Sequence, residues 1–256
     1  ELMQQPKSAH GTVPPWTGLA WVTRVGTVVT NDPAHAHGAD LLLPLGWKAK
    51  TSEYGAKALP LDPYAADTGA KLLAEMRKRG WVRSNNITDF GAPRFQSETG
   101  ELTVDGPADM LILNTPRSAG GYAPAGKTIK TDAATIAVED TDATVWVSSV
   151  DGAPIRTSRR LLITHLTDMQ NTSARYGDKA RQVLLSWGKL PHLARNGRAT
   201  VTLKMKNPER AHVWGLATSG MRLQEIPTRV VKGALVIPLA INADGKARML
   251  YEVAVE

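Results

Sequence analysis

Residues 95–121, FQSETGELTVDGPADMLILNTPRSAGG, decide how this chain reads. A short strand runs into a turn at Asp105-Gly106-Pro107. An apolar run over Met110, Leu111, Ile112 and Leu113 follows, and Asn114-Thr115-Pro116 closes it. Apolar runs bounded by Gly, Pro and Asp mark a β-hairpin, because those residues supply turn geometry that a strand interior disfavours.

The same signal recurs along the chain. Strands are predicted at 101–104, 110–114, 135–138, 143–149, 160–167, 199–204, 213–218, 234–238 and 247–255. Turns stand between them at Asp151-Gly152, Asn196-Gly197, Ser219-Gly220, Lys232-Gly233 and Asp244-Gly245. Thr200-Val201-Thr202-Leu203 alternates polar and apolar, as a half-buried strand should. Short strands punctuated every ten or so residues predict a mainly β protein, built as an antiparallel β-sandwich. No repeat of fixed period and no low-complexity tract interrupts this pattern.

Upstream the pattern differs. One helix is predicted over 62–80: Asp62 is a good N-cap, Pro63 occupies the first helical position, and Gly80 closes the end. Leu72, Leu73 and Met76 form its apolar stripe, Ala65, Ala66 and Ala70 allow close approach, and Lys78 and Arg79 complement the helix dipole. Residues 1–60 are irregular and rich in Gly, Pro, His and Trp, with a short helix over 15–25. A segment of that length without periodicity makes more sense laid over a neighbouring domain than as a loop inside one. The organisation expected is therefore an irregular linker segment at 1–60 and a helix plus β-sandwich at 61–256. A division of the latter into two small β subdomains near 150–160 remains open.

A second pair of stretches matches the first in character: LLITHLTDMQNTSARYGD at 161–178 and LLSWGKLPHLARNGRATVTL at 184–203. The phrases SETGEL, NTPRSAGG, THLTDMQNT and WGKLPHLARNGRATVTL, in this order, resemble the non-catalytic C-terminal β-sandwich region of large bacterial glycoside hydrolases that carry a (β/α)8 catalytic barrel. The resemblance covers roughly residues 62–256. It implies an accessory region without catalytic residues of its own, which stabilises and shields the barrel and can shape the substrate cleft. The implied partners are that barrel, in the same or a separate chain, and a polysaccharide. A periplasmic or secreted bacterial location is implied as well. The rival readings are a free-standing carbohydrate-binding module and a complete small hydrolase using Glu98 or Glu101.

Composition narrows the remaining classes. At 42% hydrophobic and 21% charged, the 256 residues suit a globular chain with a sizeable core. No apolar run approaches the roughly 18 residues of a membrane helix, so no membrane is expected as a partner. The first residues, ELMQQPKSAH, lack a signal-peptide layout and begin without Met, which reads as a processed or excised piece. Without Cys there are no disulfides, thiolate metal sites or Cys nucleophiles. The net charge of +7 invites nucleic acid, but the basic residues are dispersed among acids and only two Phe are present, so no nucleic-acid partner is expected.

Constellations that could carry chemistry are few. Glycoside hydrolysis needs two acids flanking the bond. Glu98, Glu101 and Asp105 cluster, as do Glu139, Asp140 and Asp142, but hairpin and loop positions favour structural or solvated roles, so no catalytic residue is assigned. His35-Ala36-His37 lacks a third ligand, so neither a metal nor a cofactor is assigned; His165 falls in an apolar run and reads as a buried, hydrogen-bonded histidine, and His192 and His212 show no partner. Ser219 lacks the G-x-S-x-G elbow of a serine nucleophile. Residues 121–128, GYAPAGKT, fit a phosphate-binding loop on paper, but strand rather than helix follows them. Seven Trp remain. Trp146 and Trp214 lie within strands and read as core, and Trp187 as a strand-edge residue. Trp16, Trp21 and Trp47, in the irregular segment, are the candidates for contact with carbohydrate or a partner domain.

Overall fold

A computed structural model describes residues 84–97, 99–243 and 245–256, together with Ala70, Leu73, Ala74, Arg77, Lys78 and Val82. Ala70, Leu73, Ala74, Arg77 and Lys78 are helical, and Leu73 is buried as the stripe requires. The rest of the helix expected over 62–80 lies outside the described residues, as do residues 1–60. Among the described residues the only delimited helical element is a 3-10 turn, Pro208–Arg210. The protein is mainly β, with antiparallel pairing throughout, and it divides into two units at Leu113/Asn114.

Unit 1 contains β1 (Arg94–Gln96), β2 (Leu102–Asp105) and β3 (Met110–Asn114), the last reaching its boundary. β2 and β3 form the hairpin anticipated at 95–121, with Leu102 opposite Leu113 and Asp105 opposite Met110. The Asp105 carboxylate accepts from the Ala108 N–H, and Asp109 turns with φ 54°. Asn86 is 6% exposed, and its side-chain amide donates to the Ser97 carbonyl at 2.9 Å.

Unit 2 begins with β4 (Ser118–Ala123), β5 (Thr128–Lys130), β6 (Ala134–Val138), β7 (Ala143–Ser149) and β8 (Arg160–Leu166). Four short strands follow: β9 (Met169–Thr172), β10 (Arg175–Tyr176), β11 (Leu184–Ser186) and β12 (Lys189–Ala194). The chain then runs through β13 (Arg198–Leu203), β14 (Ala211–Leu216), β15 (Arg222–Glu225), β16 (Arg229–Val231) and β17 (Ala234–Ala240). A two-residue ribbon, β18 (Asn242–Ala243) with β19 (Lys246–Ala247), precedes β20 (Leu250–Val255). Two sheets result, one ordered β4-β7-β8-β20-β14-β15 and the other β16-β17-β13-β6-β5.

Alternation decides which face of each sheet is buried. Val145 and Val147 of β7, Leu161 and Ile163 of β8, and Tyr251 and Val253 of β20 point inward from the first sheet. Ile136 and Val138 of β6, Val201 and Leu203 of β13, and Ile237 and Leu239 of β17 do so from the second. Each is at most 2% exposed, and all belong to the core. The Lys232-Gly233 turn joins β16 to β17 with both residues at positive φ, 51° and 76°, as a two-residue hairpin of type I′ requires. The 150–160 segment connects β7 to β8, two neighbours in one sheet.

Candidate functional site

Between β8 and β13 the chain makes an excursion, residues 167–195, that adds no strand to either large sheet. β9 pairs with β12 and β10 with β11, giving two narrow ribbons. A two-stranded ribbon has no interior of its own, so its apolar side chains stay in water unless something covers them. Trp187 is 77% exposed and Leu190 71%; Leu185, Val183, Met169, Leu193 and Leu184 are exposed as well.

Polar contacts fix the excursion from within. At its base the Asp168 carboxylate takes both terminal nitrogens of Arg181, at 2.9 and 2.7 Å, and lies 3.2 Å from Arg195. The hydrogen bonds from Arg181 hold the Asp168 carboxyl below its usual range. Arg181 also lies 5.5 Å from the centre of the Tyr176 ring. Nearer the tip, the Asn171 amide nitrogen donates to the Trp187 carbonyl at 2.8 Å, and its oxygen lies 2.6 Å from Nδ1 of His192. Thr172 donates to the Pro191 carbonyl at 2.7 Å. Gly188, at φ 70°, admits no side chain, because a Cβ would stand 2.3 Å from the Thr172 carbonyl oxygen. The backbone bearing Trp187 is therefore held, while the indole itself is open.

The second surface is the outward face of the first sheet. Trp146 of β7 and Trp214 of β14 are half-buried there, on the side opposite Val145, Val147 and Val213. This corrects the expectation that both are core. Strand alternation turns them away from it. Glu252 lies on the same face, opposite Trp214 in the register, and is 5% exposed. Arg222 and Arg160 each bind one of its oxygens at 2.6 Å and hold its carboxyl below the usual range. Arg222 also stacks 5.3 Å from the centre of the Trp214 ring.

The other expected sites fare differently. Trp16, Trp21, Trp47, Glu98 and the His35-Ala36-His37 pair lie outside the described residues. Glu101 accepts from the Thr99 hydroxyl, and Asp105 pairs with Arg94. Glu139 accepts from Thr200, Asp140 binds Arg198, and Asp142 takes the Ala125 N–H. Among the described residues no group of three or more His, Asp or Glu could hold a metal ion, and no helix is long and apolar enough to cross a membrane.

Residues 121–128 run from strand β4 through a turn into strand β5. The Gly126 N–H is already engaged by the Val138 and Glu139 carbonyls, and the Lys127 N–H by Pro124. His165 is fully buried, but neither ring nitrogen has a hydrogen-bond partner, which corrects the expected hydrogen-bonded state. It occupies an inward, apolar position of β8, where burial pushes the imidazole down to about 4. His192 and His212, which show no partner in the sequence, find Asn171 and Glu225 across strands. Those pairs arise from register, which spacing along the chain does not reveal.

Comparison with known proteins finds no family model, no curated protein and no solved structure that matches this chain.

Proposed function

We propose that this chain is the β-sandwich accessory region, decorated by one helix, of a polysaccharide-degrading glycoside hydrolase. On this reading it breaks no glycosidic bond and serves to stabilise and shield a catalytic barrel. The observation that carries the reading is the excursion at 167–195, where a chain with an ample core still leaves Trp187, Leu190 and Leu185 in water. Exposed apolar surface on that scale fits a region made to be covered by a neighbour. The hydrogen bonding of Glu101, Asp105, Glu139 and Asp140 to local partners agrees with a structural use of the acids. So do the phrases that resemble the accessory regions of such enzymes.

The test has two arms. The chain alone should release no reducing sugar from aryl glycosides or common polysaccharides, and a barrel encoded beside it should melt lower without it than with it. Hydrolysis that disappears in Glu101→Gln would replace this reading with the small-hydrolase one.

One observation favours a carbohydrate-binding module instead. Trp146 and Trp214 share the outward face of one sheet, and flat aromatic surfaces suit the apolar faces of sugar rings. Retardation in gels containing soluble glycans, abolished by Trp146→Ala and Trp214→Ala, would establish it.

A further inference from the structure

The excursion stands out by its apolar exposure: it holds seven of the fourteen large hydrophobic side chains that are exposed among the described residues. Seven such side chains within one short excursion exceed the scattered single exposures that need no explanation. All but one are aliphatic or Met, and Trp187 is the single aromatic among them. Sugar recognition relies on aromatic faces, whereas Leu, Val and Met side chains are satisfied by a complementary apolar protein surface.

Charge narrows the occupant. The excursion carries Arg175, Lys179, Arg181, Lys189 and Arg195 against Asp168 and Asp178; Asp168 engages Arg181 and Arg195, while Arg175, Lys179 and Lys189 have no ion pair among the described residues. A second copy would bring an arm with the same excess of positive charge against this one. A surface rimmed by carboxylates would neutralise that excess. The hydrogen bonds of Asn171 and Thr172 and the close approach at Gly188 fix the backbone before binding, which lowers the ordering cost of an interface.

We infer that residues 167–195 form a docking arm for a neighbouring folded domain, one that presents an apolar recess edged with carboxylates. Trp187, Leu185 and Leu190 fill the recess, and Arg175, Lys179 and Lys189 meet its rim. That this domain is a catalytic barrel rests on the functional reading above; the chemistry of the recess rests on the arm alone.

The experiment places p-benzoylphenylalanine at position 187 of the intact gene product in the cells that make it, with position 221 as the control. Met221 is 63% exposed and lies outside the arm. Irradiation should cross-link position 187 to an apolar, carboxylate-flanked segment of a glycosidase barrel, with a yield at least tenfold that of the control. Lys179→Glu with Lys189→Glu should lower the yield about tenfold, and so should Leu185→Ser with Leu190→Ser, while the circular dichroism spectrum stays unchanged. The same cross-link to a folded domain without glycosidase activity would uphold the arm and defeat the functional reading. Three outcomes would overturn the arm itself: a yield equal to the control, cross-links only between two copies of the arm, or retardation by polygalacturonate that Trp187→Ala abolishes.

Discussion

The hydroxyl of Tyr251 in β20 sits against both backbone groups of Ala240 in β17, donating to the carbonyl at 2.8 Å and accepting from the N–H at 3.0 Å. Ala240 lies opposite Arg198, and the bond from the Ile241 N–H to the Gly197 carbonyl makes that a non-hydrogen-bonded pair. The polar groups of Ala240 therefore point away from β13, toward a position where β16, paired only with Ala234–Val236, has already ended. One phenol from the other sheet stands in for the missing strand. Pro238 has the same orientation two residues earlier, so its lack of an N–H costs no ladder bond.

Tyr251→Phe should therefore destabilise the protein beyond the loss of one ordinary hydrogen bond. It leaves a donor and an acceptor unsatisfied at a site where the side chain is 1% exposed. The expected loss is about 1–3 kcal/mol by chemical denaturation. A change within experimental error would mean that water replaces the phenol and that the two sheets do not depend on this contact.

His165 sets the pH dependence of stability. Burial lowers its folded value to about 4, against 6.5 for the free side chain, although Asp140 and Glu139 pull the other way. Below 6.5 the unfolded chain binds a proton that the folded one refuses, so the stability present above 6.5 falls as the pH drops toward 4. The loss is about 3 kcal/mol at 1.36 kcal/mol per pH unit. Asp140, Asp168 and Glu252 have depressed values, so their contribution is present above the ordinary carboxylate range and is lost only at lower pH. His165→Leu should flatten the profile between pH 6.5 and 4. An unchanged slope would show that another group is responsible.

Gly120 and Gly126 make a paired test of backbone constraint. A Cβ at Gly120 would lie 2.1 Å from the Val145 carbonyl oxygen, where the obstacle is the neighbouring strand's backbone, and φ is 147°. At Gly126, with φ 77°, nothing stands within 4 Å. Gly126→Ala should cost about 1 kcal/mol for the strained backbone, and Gly120→Ala roughly 3 kcal/mol or more because the β4–β7 pairing must also shift. Equal costs would disprove the close approach.

Arg181→Ala should loosen the excursion and leave the two sheets intact. The pair with Asp168 lies at the base of the arm, on the surface, and no core residue touches it by hydrogen bond. Faster amide hydrogen exchange over 169–194 with an unchanged thermal midpoint is the expected result. A lowered midpoint would mean that the arm contributes to global stability.

All nine strands expected from the sequence are present, because each carries its own evidence. The alternation of Thr200-Val201-Thr202-Leu203 places Val201 and Leu203 in the core and the threonines outside, and Lys232-Gly233 specifies its turn by local geometry alone. The four strands of the excursion escaped prediction for the converse reason. Leu184, Leu185, Leu190 and Leu193 have neither a regular period nor a buried face, so no pattern announces them. The sequence by itself thus determined the mainly β character and nine of the twenty strands among the described residues, since these follow from period and turn chemistry within a few residues. Only the tertiary structure decided that Trp146 and Trp214 face outward, that His165 is buried without a partner, that Glu252 joins Arg160 to Arg222, and that Trp187 stands in water. Each of these depends on which strands become neighbours across tens of residues, and that is settled by the free energy of the assembled sheets.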